Sequence, residues 1–260
     1  MIVWFVLFAL LGLAVGSFLN LCIDRLPNDK SIIRPPSHCD ACGRQLGVLD
    51  LIPVFSYLWL RGRCRYCQAH ISLRVPLVEL ATGSLFPLLY WHYDLELELL
   101  FALACTTLFI LIFVIDLEHE LILLDIIFIG IVLALAFSPF RDDLADPGWD
   151  STKEVLIGGG VGLGIMLSLY LVFLPIGGFG KGDVPLVAFL GLVTGFPLIL
   201  TGLMISVVGG GIVALLLLAT GLKKRRDPIP YGPFLTSGAF IALLWGQSIT
   251  DWYLDLFPNV

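Results

Sequence analysis

Charged residues are scarce in this chain. Asp, Glu, Lys and Arg make up 14% of its 260 residues, whereas the hydrophobic residue types make up 58%. A soluble globular domain carries about 25% charged residues. The composition therefore excludes an ordinary soluble domain and predicts an all-α protein that crosses a membrane several times.

The features of a cleavable signal peptide are missing from the first apolar run, Ile2 to Cys22. It has no basic residue before it and no small-residue cleavage site after it, so we expect it to be retained as the first transmembrane helix. Hydropathy predicts about eight transmembrane helices in all, of which the sixth is the shortest. They are placed roughly at residues 2–22, 76–93, 99–115, 121–138, 155–175, 184–196, 198–221 and 234–249.

Basic residues are nearly missing from the loops on one side of the predicted bundle. With the N-terminus outside, 13 of the 15 Lys and Arg residues lie in inner loops, among them Arg225 and Arg226. Only Arg141 and Lys153 lie in outer loops. The positive-inside rule favours this orientation. We expect the basic face to contact anionic membrane lipids, and it gives no reason to expect a nucleic-acid partner.

Polar sequence is concentrated in one loop, predicted to be cytoplasmic, which contains two C-x2-C pairs separated by 21 residues. Four thiolates at this spacing are typical of a structural zinc site, which stabilises a loop too small to form a core of its own. Two disulfides and a redox-active C-x2-C pair are the alternatives, and a cytoplasmic location disfavours the disulfides. The four candidate ligands are Cys39, Cys42, Cys64 and Cys67.

The predicted domains are the first transmembrane helix (1–23), the zinc-binding loop domain (24–75) and a transmembrane bundle (76–260).

Two aspartates stand at the inner ends of predicted spans. Asp116 ends the third span, and Asp183 follows Gly180, Lys181 and Gly182 before the sixth. Ionisable residues this close to the bilayer core are costly, so they are functional candidates. Two aspartates in a partly desolvated site share a proton, which lets one act as acid and the other as base when water cleaves a peptide bond. The flanking glycines would let an extended substrate strand approach closely. A helix N-cap and an ion ligand are the alternatives for Asp183.

Three further residues are candidates for contact with a substrate. Glu79 lies near the start of the second span, where a buried carboxylate needs a partner. Asp125 follows the acidic run DLEHE, and Tyr231 lies in a proline-rich loop before the last span. Asn20, at the inner end of the first span, is expected to form a hydrogen bond between helices.

Small residues recur in two predicted spans. Gly12 and Gly16 form a G-x3-G pair in the first span, and four alternate glycines occupy the fifth. Both patterns predict close helix packing. The four glycines are Gly158, Gly160, Gly162 and Gly164.

Taken in order and spacing, the motifs of this chain closely resemble those of the type IV prepilin peptidases, membrane aspartyl proteases with a G-x-G-D motif. The matching segments run nearly from end to end. They are GSFLN with RLP after the first span, PPSHCDACG, IPVFSYLWLRGRCRYC, ISLRVPLVEL, the D…LD stretch after the third span, GKGD, and PYGPFL before the last span.

The resemblance implies that Asp116 and Asp183 are the two catalytic aspartates. It implies an enzyme of the bacterial inner membrane that cuts a short basic leader after a glycine at the cytoplasmic face, with prepilins and type II secretion pseudopilins as substrates. Members with the four-cysteine loop are typically bifunctional and also methylate the new N-terminus with S-adenosylmethionine. In them the glycine at the position of Gly62 is tied to methyl transfer, although no Gly-rich methyl-donor site is recognisable in this sequence.

The chain departs from the family pattern beside both aspartates. Leu124 stands where a proline is usual, before Asp125, which keeps its place and is expected to cap the fourth span. Pro185 stands where a lysine is common, which removes a positive charge and a backbone donor.

Two alternatives come from other functional classes. A membrane thiol redox carrier would pass electrons through the two C-x2-C pairs. An ion-coupled transporter would use Asp183 beside a broken helix, but a position at the inner membrane edge is too near the surface for a midplane site.

Overall fold

The fold is helical throughout the part of the chain that the structure describes. In this computed structural model those residues are 1–141, 148–174, 180–224, 227 and 229–256. Within them the helices are α1 (Ile2–Arg25), α2 (Phe55–Trp59), α3 (Arg74–Tyr93), α4 (Leu97–His119), α5 (Leu124–Phe137), α6 (Trp149–Phe173), α7 (Asp183–Thr194), α8 (Leu198–Ala219) and α9 (Gly232–Asp255). Arg225 and Arg226, predicted to lie in an inner loop, fall outside the described residues.

Each predicted transmembrane helix corresponds to a helix in the structure, and α2 is an additional short helix in the polar loop. Among the described residues, four helical segments are long and apolar enough to cross a membrane: Ile2–Asn28, Leu97–His119, Trp149–Phe173 and Leu198–Ala219. The prediction of a helical membrane protein is therefore confirmed. The number of eight spans stays a prediction, because α3, α5, α7 and α9 are not among these four segments.

Residues Met1–Leu111 form one compact unit, in which α1 packs against α3. A Cβ added at Gly12 would collide with the carbonyl oxygen of Thr82, and one added at Gly16 would lie 2.8 Å from the Cα of Glu79. The two backbones are therefore in direct contact, and the predicted close packing at this glycine pair is confirmed. The pairing also shows that α1 and α3 run antiparallel.

Residues Ile112–Val260 form the second compact unit, in which α7 packs against α5, α6, α8 and α9. Nine of the 12 residues of α7 are buried, including Asp183 at its start. A helix surrounded in this way needs apolar side chains on all its faces, which explains why α7 shows no polar stripe. The packing of α7 therefore holds its first residue, Asp183, in a fixed position.

The glycines of α6 do not all pack in the way that their alternation predicts. A Cβ added at Gly158 would clash with the backbone of Gly191 in α7, and one at Gly162 would lie 2.7 Å from the carbonyl oxygen of Val187. Gly160 and Gly164 have no atom within 4 Å of such a Cβ. The prediction of close packing is confirmed for the first pair and wrong for the second, since residues two apart lie on different faces of a helix.

The two departures from the family pattern are accommodated at helix starts. Leu124 is the first residue of α5, and Leu123 precedes it without a side-chain capping hydrogen bond. The prediction that Asp125 caps this helix is wrong, because the residue is exposed within the first turn, after the cap position. Pro185 is the third residue of α7, where the missing N–H removes no intrahelical hydrogen bond.

Candidate active site and metal centre

Asp183 is held by the glycine-rich turn that precedes α7. The Gly180 N–H donates to its Oδ2 at 2.8 Å, and its own N–H donates to the Gly180 carbonyl at 3.1 Å. A Cβ added at Gly182 would lie 2.8 Å from the Cβ of Ile122, so packing requires glycine at this position. Lys181 is exposed. The turn thus fixes the carboxylate of Asp183 and leaves the side chain of Lys181 exposed.

Asp116 lies in the last turn of α4 and is fixed by a residue from a distant part of the chain. The Gly232 N–H, at the start of α9, donates to its Oδ2 at 2.8 Å. A Cβ added at Gly232 would lie 2.6 Å from the same oxygen, so only glycine allows this contact. Sequence reasoning missed Gly232, and the motif PYGPFL was the signal that contained it.

The structure brings Asp116 and Asp183 together within the second unit. Both residues are 5% exposed, and their carboxyl groups are close enough to interact electrostatically. Among the described residues, neither carboxylate forms an ion pair with Lys or Arg. Burial without a counter-charge disfavours the state in which both carboxyl groups are ionised. Such a pair can supply both an acid and a base.

Tyr231 is beside this pair, whereas Asp125 shows no contact with it. Tyr231 is half-buried at the N-terminus of α9, its ring centroid lies 6.3 Å from that of Phe234, and the N–H of the next residue, Gly232, donates to Asp116. Asp125 is exposed in α5. Contact of either residue with a substrate stays a prediction.

The four loop cysteines form one cluster. Cys39 and Cys64 open two similar turns, in which the Gly43 N–H donates to the Cys39 carbonyl at 2.7 Å and the Gln68 N–H to the Cys64 carbonyl at 3.0 Å. The four Sγ atoms lie within 4.8 Å of one another. The Sγ atoms of Cys39 and Cys67 are 3.7 Å apart, close to the spacing of about 3.8 Å between sulfurs that bind one zinc ion tetrahedrally at about 2.3 Å.

Other features of the cluster also fit a metal better than disulfides. All six cysteines are free in the structure. Hydrogen bonds from the backbone N–H groups of Cys67 and Tyr66 lower the pKa of the Cys64 thiol to about 7, whereas burial and the neighbouring thiols raise the pKa of Cys67 to about 11. Thiols packed this closely need a cation before all four can be thiolates. The residues present therefore fit a four-thiolate zinc site.

Gly62 lies at the base of the second cysteine turn. Its φ of +68° is in the left-handed region, and an added Cβ would lie 2.8 Å from the hydroxyl oxygen of Tyr57. Its N–H donates to the Tyr57 carbonyl, and its carbonyl accepts from the Ile71 N–H, both at 2.8 Å. The local backbone therefore requires glycine.

Glu79 and Asn20 lie on the contact between α3 and α1. Glu79 is 4% exposed, and its Oε2 accepts a hydrogen bond from the Val54 N–H at 2.7 Å. The partners of this carboxylate are thus a backbone group of the loop and the Ser17 side chain of α1. Asn20 Nδ2 donates to the Val75 carbonyl of α3 at 3.0 Å, which confirms the predicted bond between helices. A role for Glu79 in contact with a substrate stays a prediction.

Comparison with known proteins gives matches along most of the chain. The family model described as "Bacterial Peptidase A24 N-terminal domain" matches residues 10–93, and "Type IV leader peptidase family" matches residues 103–215. No solved structure matches significantly.

Three of the similar curated proteins carry the name "Prepilin leader peptidase/N-methyltransferase". The one from Aeromonas hydrophila is 34% identical, over 98% of this chain and 95% of its own length. The one from Bacillus subtilis (strain 168) is 32% identical, over 94% and 96%. The one from Myxococcus xanthus (strain DK1622) is 39% identical, over 83% and 64%. These names do not support the redox-carrier alternative.

Proposed function

Because this chain belongs to the type IV leader peptidase family and is a membrane peptidase, we propose that it removes the leader peptides of type IV prepilins and type II secretion pseudopilins. Cleavage follows a glycine and takes place at the cytoplasmic face of the bacterial inner membrane, with the N-terminus of the enzyme outside. The observation that carries the proposal is the buried pair Asp116 and Asp183, each oriented by one glycine N–H.

In the proposed mechanism the two aspartates share one proton. The ionised carboxylate removes a proton from a water molecule, whose oxygen attacks the carbonyl carbon of the peptide bond. The protonated carboxyl group then gives its proton to the leaving nitrogen as the carbon–nitrogen bond breaks. The hydrogen bonds from Gly180 and Gly232 hold the two groups in place before the substrate arrives.

The membrane takes part in substrate positioning. The hydrophobic helix of a prepilin would lie in the bilayer beside the enzyme, so the peptide bond next to that helix is oriented before chemistry begins. The lipid partners of the basic loops would be anionic.

A second activity is N-methylation of the new N-terminus. The support is the name of the relatives, which includes N-methyltransferase. The methyl group would come from S-adenosylmethionine: the N-terminal nitrogen would form a bond to the methyl carbon and lose a proton, and the carbon–sulfur bond would break to leave S-adenosylhomocysteine. For Gly62 we propose an indirect role, since its positive φ and its contact with Tyr57 shape the loop.

A cleavage assay tests both proposed activities. Purified enzyme in lipid nanodiscs is incubated with a prepilin that carries a basic leader ending in glycine. Mass spectrometry should find a single cut after that glycine, and one added methyl group only when S-adenosylmethionine is present. Cleavage elsewhere, or none, would contradict the leader-peptidase proposal. Cleavage without methylation would contradict the second activity alone.

We also propose that the four-cysteine cluster binds structural zinc. Zinc binding supplies about 10–16 kcal/mol to the folding of zinc-finger peptides, so a strong chelator should release the metal and open residues 24–75 to hydrogen exchange. The helices should keep their circular dichroism. Cys42→Ser should lose zinc, whereas Cys22→Ala, at a buried cysteine outside the cluster, should retain it. Unchanged exchange after chelation, or collapse of the helical signal, would argue against a local structural role.

A further inference from the structure

A short stretch of the polar loop carries an unusually exposed apolar surface. Between residues 48 and 60 most of the large apolar side chains are exposed, and Trp59 is 73% exposed. The rings of Phe55 and Trp59 stack with their centroids 5.9 Å apart. Contiguous exposed apolar surface of this kind marks a contact with a partner or a membrane. The most exposed members are Val48, Leu49, Phe55, Leu58 and Trp59.

The hydrogen bond between Val54 and Glu79 fixes the depth of this stretch relative to α1. The Val54 N–H bonds to Glu79, and the backbone of Glu79 touches Gly16 of α1. Gly16 lies six residues before Cys22, the end of the apolar run, which corresponds to about 9 Å along a helix. Val54 is therefore held beside the apolar part of a membrane-spanning helix, and not beyond its end.

The backbone of Val54 has an unfavourable conformation, which its hydrogen bond to Glu79 stabilises. Val54 has a φ of +60°, in a region that β-branched residues avoid. The hydrogen bond to a carboxylate that is itself buried holds the residue in this conformation. As a result the chain reverses direction here, and α2 begins at the next residue.

Positive charge follows the apolar stretch directly. Arg61 and Arg63 are exposed, and among the described residues neither forms an ion pair. Arg65, by contrast, is paired with Asp50 at 2.6 Å. Aromatic and aliphatic side chains followed by unpaired arginines are the composition of segments that lie in the interface of an anionic membrane.

We propose that residues 48–63 form an interfacial segment that inserts into the lipid leaflet at the C-terminal end of α1. Phe55, Leu58 and Trp59 enter the acyl-chain boundary, and Arg61 and Arg63 contact the phosphates of anionic lipids. The segment therefore attaches the cysteine loop to the membrane surface. This inference does not rest on the proposed peptidase activity.

Quenching of Trp59 fluorescence tests the insertion. The full-length protein is placed in nanodiscs of phosphatidylcholine and phosphatidylglycerol, with or without bromine atoms high on the acyl chains. The fluorescence of Trp59 is obtained by subtracting the emission of the Trp59→Phe variant from that of the wild type. Phenylalanine is used because it keeps an aromatic ring at this position. We expect brominated lipid to lower this emission about twofold or more, and aqueous iodide to leave it unchanged. Quenching by iodide alone would overturn the insertion, and so would protection from both quenchers, because another protein surface would then cover the segment.

A double substitution tests the role of the arginines. Arg61→Gln together with Arg63→Gln should remove the difference in bromine quenching between anionic and purely zwitterionic nanodiscs. The matched control is Arg44→Gln in the same loop, whose guanidinium lies 4.1 Å from the ring centroid of Tyr66. This control should keep the difference. A double variant that behaves like wild type would overturn the contact with anionic lipid.

Discussion

Asp116→Asn and Asp183→Asn should each lower kcat for leader-peptide cleavage by about 10²- to 10⁴-fold, the contribution of a positioned acid or base. Asparagine has nearly the same shape as aspartate, and its amide oxygen can still accept the hydrogen bond from Gly232 or Gly180. It can neither take a proton from water nor give one to the leaving nitrogen. The loss would therefore be chemical and would not reflect unfolding.

Steady-state kinetics of prepilin cleavage in nanodiscs measure this effect. Circular dichroism and thermal unfolding should match the wild type for both variants. The control is Asp150→Asn, which also exchanges a carboxylate for an amide but at an exposed residue that pairs with Lys153 at 2.6 Å. It should cleave normally. If either variant of the pair kept more than about a tenth of the wild-type kcat, that aspartate would not be the acid or the base.

Gly232→Ala should also lower kcat, by about 10²-fold, although it adds only a methyl group. The new Cβ would lie 2.6 Å from Oδ2 of Asp116, so the carboxylate must move away from its present position. A shift of about 1 Å in a catalytic group can cost this much rate. KM should change little, because Gly232 is placed here against the aspartate and not against the leader.

Steady-state kinetics separate these two parameters. Gly164→Ala is the matched control, since it adds the same methyl group within a helix of the same unit, at a position with no atom within 4 Å. It should keep both kcat and KM. A Gly232→Ala enzyme with normal kcat would show that the position of Asp116 tolerates displacement, and that its hydrogen bond is dispensable.

The helices could be predicted from the sequence because long apolar runs are needed to span a membrane. The residues at which the helices end were less predictable. The last predicted span, 234–249, corresponds to a helix that continues to Asp255, with Gln247 bonded to Asp251 at 3.1 Å. Hydropathy does not register a polar helical turn such as this one. The prediction of close packing at Gly160 and Gly164 in α6 was wrong for a different reason. Glycines two residues apart do not lie on one face of a helix.

The two aspartates of the candidate site could be predicted, because charge is rare near apolar spans and the motifs around both are distinctive. Their environment could not. The bond from Gly232 to Asp116 joins residues that are 116 positions apart, and no local pattern encodes such a contact. Likewise, Glu79 was expected to need a partner, and its partners are the Ser17 side chain and the backbone N–H of Val54, a group that carries no signal in the sequence.

The short length of α7 has a consequence for the supply of water. Gly162 lies against Val187, and because the two helices run antiparallel, Asp183 lies near residue 166 of α6. From there α6 continues for seven residues to Phe173, or about 10 Å. The last turns of α6 therefore project beyond the carboxyl pair, and water reaches the pair from the loops beside it, where Lys181 and Glu120 are exposed. With so short an approach for the water molecule, the turnover rate should depend on the acidity of the two carboxyl groups and little on the thickness of the bilayer.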